Sequence, residues 1–415
     1  MMAPDPTPKD DVTVDVPSQA ADGYDKVFKG LENMAIHKEG AELGPIIPAP
    51  APPPALEEGD PLAELRKAGK VPPKTIIYDP QSPFIALIKM GGTALEMVLM
   101  RPDFYLIMLV HVFLCLMYYQ VSHNPVLVSS SNGSQQSWPF LSPTTIVIPG
   151  TMIVFFMVFH TSQAYSRFFE QYLATARVDG RINNRLTPLF RMAFADDCFP
   201  GARETRMLLA RYAVSIEYLG YANLPFYKAN GAGEWAWKRV EDTGLLTPTE
   251  VAILRKVPNG KAFKELSVWM CHRLHAHFVN DDISNVELDR FVEYTNDLVA
   301  NIGIIYDYMA MPVPFAFFHL LNAVLVGYLL LLAYTYCMYS YYYSIIGMLL
   351  TTVSLLGLRE LSCALSDPFG SDATDLPVFD YAMAVHRYVN ASILDRPEGL
   401  SEAGPGAKAR RVKGE

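Results

Sequence analysis

Charge is scarce in this chain of 415 residues. Asp, Glu, Lys and Arg make up 19% of it and apolar residues 51%, whereas soluble domains are roughly 25% charged. The balance leans towards a membrane protein. A basic excess is also missing. The formal charge is −9 with no dominant Lys/Arg block, so nucleic acid is not an expected partner. Cysteine is sparse: Cys115, Cys198, Cys271, Cys337 and Cys363 are scattered and form no CxxC pair. That spacing supports neither a disulfide framework nor a zinc site, and free, buried thiols are expected. No Walker loop, GxSxG, HExxH or dinucleotide fingerprint occurs, so the chain is not expected to be an enzyme. The start, "MMAPDPTPKDDVTVDVP", has no apolar core after a basic opening and no Arg-rich amphipathic pattern. Neither a secretory nor a mitochondrial presequence is therefore expected.

What the chain does have is four apolar stretches. "FYLIMLVHVFLCLMYYQ" (104–120) and "FAFFHLLNAVLVGYLLLLAYTY" (315–336) are long enough to span alone, since a spanning helix needs about 17–25 residues. The second span is read as 145–165 and the fourth as 342–358; their apolar cores are shorter, as in helices shielded by protein or running out of the bilayer. Lys89 and Arg101 precede the first span, Arg167, Arg177, Arg181 and Arg185 follow the second, and Arg359 follows the fourth. The loop Val121 to Pro143 has no Lys or Arg. Both termini and the long middle segment are thus expected on the cytosolic side. The outer loop carries an Asn132-Gly133-Ser134 sequon. Tyrosines from Tyr334 to Tyr343 crowd the turn between spans three and four, as in an interfacial belt. Residues 1–73, with "PIIPAPAPPPALEEGDP", and the basic end 396–415 read as disordered tails; residues 74–395 form the folded domain.

The middle segment, about 169–310, reads as a helical soluble portion without strands of consequence. Phe291, Tyr294, Leu298, Ile302 and Ile305 recur at helical steps, and "TPTE" (247–250) reads as a capped helix start. The histidines of "CHRLHAH", His272, His275 and His277, read as a surface patch. In the second span Thr151, Phe155 and Phe159 recur every four residues on one stripe. That stripe is either ordinary packing or a pore wall, if several copies of the helix surround an axis. The segment "SDPFGSDATDLPV" (366–378) reads as a helix-breaking turn, with Gly370 allowing a left-handed conformation, or as a calcium site of hard oxygen ligands. It does not match a twelve-residue EF-hand loop.

Several motifs in order carry a family resemblance. "FHTSQAYSRFFEQY" (159–172) resembles the FRTNxxYxRWWE signature of plant and bacterial bestrophins. "YDYMAMPVPFAF" and "TGLLTPTEVAIL" resemble the YDWISIPLVYTQ and GFMTPAEHKQL segments of the animal branch, and "DPFGSDATDLP" resembles the family's DPFG-acidic segment. The resemblance covers about Ile76 to Ala391. It implies an all-α membrane protein with four transmembrane helices and a cytosolic helical portion, assembled as a pentamer around a central pore.

The resemblance further implies a neck at Thr151, Phe155 and Phe159, with Thr151 where the family usually has Ile; a more polar ring there is easier to wet. A second register would place Ile148, Met152 and Phe156 at the neck. The cytosolic aperture corresponds to Met311. A calcium clasp corresponds to the side chains of Asp372 and Asp375 and the backbone of Ala364, Asp367 and Ile77, although Ala373 and Thr374 interrupt the acidic run. His160, where relatives often have Arg, is either a pH-tunable group near the pore or polar packing. The implied function is a passive channel for chloride and bicarbonate, with calcium as a regulatory ion. The alternatives are a nonselective or cation-permeable relative and a non-conducting scaffold that binds calcium or partners. The plasma membrane or an endomembrane is the expected location, with an organellar membrane as the alternative.

Overall fold

The computed structural model describes residues 60–74, 91–123, 141, 143–196 and 198–394. The sequon loop, Ile77, the first 59 residues and the basic C-terminal segment lie outside the described residues. Among the described residues there is no β-strand, and the fold is all-helical, as the composition and periodicity predict.

Four helices are long and apolar enough to cross a membrane. The first, third and fourth lie within α3 (Pro102–His123), α12 (Phe315–Ser340) and α13 (Ser344–Ser366), and the second begins in α4 (Pro143–Arg181) and runs on past its end. Before them come two short helices, α1 (Ala63–Lys67) and α2 (Ala94–Leu99). The spans pack on a shared apolar cluster that includes Phe104, Ile107, Ile153, Met157, Leu329 and Leu356. Gly150 permits a close crossing, since a Cβ there would collide with the Tyr328 side chain of α12.

Two spans run longer than their apolar cores. α4 has 39 residues, about 58 Å at 1.5 Å per residue, roughly twice the hydrocarbon thickness. Its second half leaves the apolar run and becomes amphipathic, burying Ala174 and Val178 in the soluble core. α13 continues past Leu358 to Ser366 because Arg359 and Glu360 are neutralised by partners rather than ending the helix.

A π-helical turn, Ile182–Leu186, joins α4 to α5 (Thr187–Ala193). The soluble portion continues through α6 (Ala202–Ala222), α7 (Pro225–Asn230), α8 (Ala232–Asp242), α9 (Pro248–Leu254), α10 (Ala262–Val279) and α11 (Asn285–Ala310), and the described chain ends in α14 (Val378–Leu394). The capping box expected at Thr247 forms: Thr247 Oγ1 accepts from Glu250 N at 3.2 Å, and Glu250 Oε2 accepts from Thr247 N at 2.8 Å. A second box, Ser284 with Glu287, starts α11. Phe291, Leu298, Ile302 and Ile305 are buried along α11, and Tyr294 is partly buried against the same core.

In this core Glu217 of α6 meets Asp179 of α4. Glu217 is fully buried, and burial, followed by the charge of Asp179, holds its carboxyl well above the usual range. Burial and the like charge of its neighbour both favour the neutral form of Glu217.

Residues 60–73 depart from the expectation of an unstructured segment. Leu62 and Val71 insert into the soluble core, and Arg66 donates to both carboxylate oxygens of Asp380 in α14 at 2.7 and 2.5 Å. Two apolar anchors and a charge-assisted pair made through one guanidinium nitrogen order a stretch whose composition is otherwise that of a tail.

Candidate pore-lining helix and acidic turn

The faces of α4 are clearly divided. Ile153, Met157 and His160 are buried against the neighbouring spans, whereas Thr151, Phe155 and Phe159 are exposed, the two phenylalanines by 66% and 50%. At 100° per residue, Phe155 lies about 180° round the helix from the buried stripe. Ile148, Met152 and Phe156 are also exposed, but Met152 lies only about 120° away. Thr151 Oγ1 donates to Val147 O at 2.8 Å, so its hydrogen is already engaged within the helix. The Phe155 and Phe156 rings meet edge-on at 6.1 Å. His160 sits on the packed face, with its ring 5.5 Å from that of Phe317; it does not share the Phe155–Phe159 stripe.

Met311 follows α11 and is exposed. Its backbone is held by Arg167 of α4, whose Nη1 donates to Met311 O at 2.7 Å and whose Nε donates to Ser366 O at 3.1 Å. Nη2 donates to Tyr308 O. One guanidinium therefore links the long α4 helix, the turn carrying Met311, and the end of α13. In the sequence Arg167 reads as a topology marker and as the arginine of the 159–172 signature, and its bonds to three carbonyls were not foreseen, although a guanidinium carries five N–H donors.

The acidic turn follows α13. Phe369 and Leu376 are buried and anchor it, and Leu376 N donates to Pro368 O at 2.8 Å. Gly370 is not among the residues with positive φ, contrary to the left-handed turn expected. Its glycine makes room for a close approach instead: a Cβ there would lie 2.6 Å from Asp375 Oδ2, and the carboxylate would have to shift. That oxygen also accepts from Asp372 N at 2.6 Å. Asp375 Oδ1 is buried and has no hydrogen-bond partner. Burial, then the negative charges of Asp372 and Asp367, push the Asp375 carboxyl up to about 7, against the pull of backbone donors. A buried carboxylate oxygen in this state fits a proton or a cation. The carbonyl of Ala364 adds an acceptor, because the donor four residues on would be Pro368, which has no N–H. Asp367 is exposed at the C-terminus of α13. Among the described residues no group of three or more His, Cys, Asp or Glu is gathered to hold a metal, so any cation here would depend on carbonyl oxygens as well.

The family model described as Bacterial/Fungal Bestrophin protein matches residues 91–391. The chain belongs to the bestrophin family. Among curated relatives, a protein named voltage-dependent anion channel-forming protein, from Nostoc sp., is 25% identical over 232 residues, 56% of this bestrophin and 71% of the relative. One of the same description from Synechocystis sp. is 20% identical over 234 residues, with the same coverage. The bacterial bestrophin homologue of Klebsiella pneumoniae aligns with a TM-score of 0.59 at 17% identity, covering 71% of this chain and 98% of that one. A point mutant of that homologue, with a leucine replaced by threonine, aligns with a TM-score of 0.58 at 16% identity and the same coverage.

Two polar clusters of this bestrophin were not singled out from its sequence. At one end of the spans, Arg359 Nη2 donates to Asp103 at 2.6 Å and to Glu360 at 2.7 Å, and Arg101 Nη2 donates to Glu360 at 2.7 Å. This network ties the start of α3 to α13 a few residues before the acidic turn. Between the spans, buried His111 contacts Ala333 O at 2.8 Å and Ser344 Oγ at 3.1 Å. The three histidines of α10 do not act together. His277 pairs with Asp282 at 2.9 Å and Thr205 at 3.1 Å, while His272 and His275 are exposed.

Proposed function

We propose that this bestrophin is a passive anion channel, formed by a pentamer whose α4 helices line the central pore. The observation that carries the reading is the Phe155–Phe159 stripe, exposed directly opposite the face with which α4 packs on its own chain. Among the described residues nothing covers this stripe, and a ring of subunits would turn it towards an axis. Aromatic edges carry positive quadrupole character, so a ring of phenylalanines can pass a partly dehydrated anion and can also close by dewetting. The names of the cyanobacterial relatives support anion passage. Chloride is the proposed main ion and bicarbonate a second.

In this reading Thr151, Phe155 and Phe159 form the neck, and Met311 forms the aperture. Regulation by calcium is proposed at the acidic turn. Asp375 and Asp372 would supply side-chain oxygens, Ala364 and Asp367 carbonyl oxygens, and Ile77 a further carbonyl. The cation would neutralise the buried Asp375 and stiffen the end of α13. Arg167 would pass that change to α4 through its bond to Ser366 O. Chloride efflux from liposomes containing the purified protein tests the proposal. Efflux should occur and should rise in Phe155→Ala and Phe159→Ala. Absence of efflux over a range of calcium concentrations would favour a non-conducting scaffold, and cation efflux of equal size would remove the anion selectivity.

A further inference from the structure

A cavity of about 280 Å³ lies behind the neck-lining face of α4, where that helix meets the turn carrying Met311 and the end of α13. Met309, Val313 and Phe318 form an apolar wall, and His160, Arg167 and Asp367 provide polar groups. The two charged groups already have company. Arg167 spends donors on three backbone carbonyls, and Asp367 stands across the same cavity with opposite charge. His160 differs. It is only 4% exposed, and among the described residues neither of its ring nitrogens has a hydrogen-bond partner. A neutral imidazole offers one donor and one acceptor, and His160 presents them at the wall of this cavity.

We propose that this cavity binds a small uncharged amphipathic molecule, with a hydroxyl or carbonyl that pairs with His160 and an apolar body against Met309, Val313 and Phe318. Arg167 and Asp367 bring opposite charges to the same cavity and act on each other, so no net charge is left to repay the desolvation of an ionic head group. The volume approaches the lower end of small-molecule sites, about 300 Å³. An occupant would sit directly behind Phe159 and against the turn held by Arg167. Binding depends on the cavity alone; any effect on conduction would rest on the channel reading above.

Cys363 lines the same cavity and gives a local readout, while exposed Cys198 serves as an internal control. The experiment follows alkylation of both thiols by mass spectrometry in the purified full-length protein, with benzyl alcohol, benzoate or toluene as probes. Benzyl alcohol should slow Cys363 saturably and leave Cys198 unchanged, and benzoate and toluene should protect less well. In His160→Phe the concentration of benzyl alcohol needed should rise about tenfold, the equivalent of one lost hydrogen bond. Val313→Trp fills the cavity without removing a polar group, so Cys363 should be slow with no probe present. Equal Cys363 rates with and without benzyl alcohol, equal protection of both cysteines, equal protection by benzoate, or a Val313→Trp protein with parental Cys363 reactivity would each overturn the proposal.

Discussion

At the residue scale, Asp375 holds the most information. Its carboxyl is raised from the ordinary 3.8 to about 7. The raised value means that the protonated form suits the fold. That contribution is complete below the ordinary aspartate value and is lost as pH rises through about 7. Without a divalent cation, the unfolding temperature should therefore decline over this window, and Asp375→Asn should flatten the decline. Glu217 acts in the same direction, and buried His386, lowered to about 4 by burial and two arginines, acts against it at the acid end. The difference between parent and Asp375→Asn isolates the turn. A bound cation competes with the same proton, so calcium affinity measured by calorimetry should weaken as pH drops below about 7.

Gly370→Ala should cost about 1–3 kcal/mol, because the new methyl group displaces the Asp375 carboxylate. The glycine was legible in the sequence as a turn residue, but its reason was not. Composition suggests a backbone conformation, whereas the requirement comes from a side chain folding back from five positions away.

At the scale of elements, the ion network between α3 and α13 should hold the spans in register. Arg359→Met leaves Asp103 and Glu360 facing each other with one cation fewer, and should cost about 3 kcal/mol. Thermal unfolding in detergent would measure this. Arg359→Met combined with Glu360→Met should cost less than the sum, since the pair then disappears together.

The elements themselves were largely readable. Apolar runs located all four spans, and the three- and four-residue rhythm of Phe291 to Ile305 located α11. The length of α4 was not readable, because its apolar run ends at Phe159 while the helix continues on an amphipathic face completed by α11 and α14. Periodicity placed Thr151, Phe155 and Phe159 on one stripe, yet it gives only relative phase. Which stripe faces outward required Ile153, Met157 and His160 to be seen packed against the other spans. The segment around α1 was hidden for a similar reason: Leu62, Val71 and Arg66 have no local pattern, and their partners lie in the soluble core and α14.

At the scale of the whole molecule, the exposed faces of the spans must meet lipid or other subunits. The proposed ring of subunits would use both, its outer surfaces facing lipid and the Phe155 stripe facing the axis. The purified protein should therefore have a mass that is a fivefold multiple of the 46.3 kDa chain by light scattering corrected for detergent. The family, and with it the helical architecture, could be read from the motifs between Phe159 and Pro377. The proposed ring rests on the family resemblance and the uncovered stripe, since contacts between copies leave no trace in one chain's packing.

The most direct measurement is the reversal potential of the reconstituted protein in a planar bilayer under a potassium chloride gradient. The account predicts a reversal potential close to the chloride equilibrium value, with closure weakened in Phe155→Ala. A reversal that follows potassium, or a bilayer with no current in either protein, would contradict it.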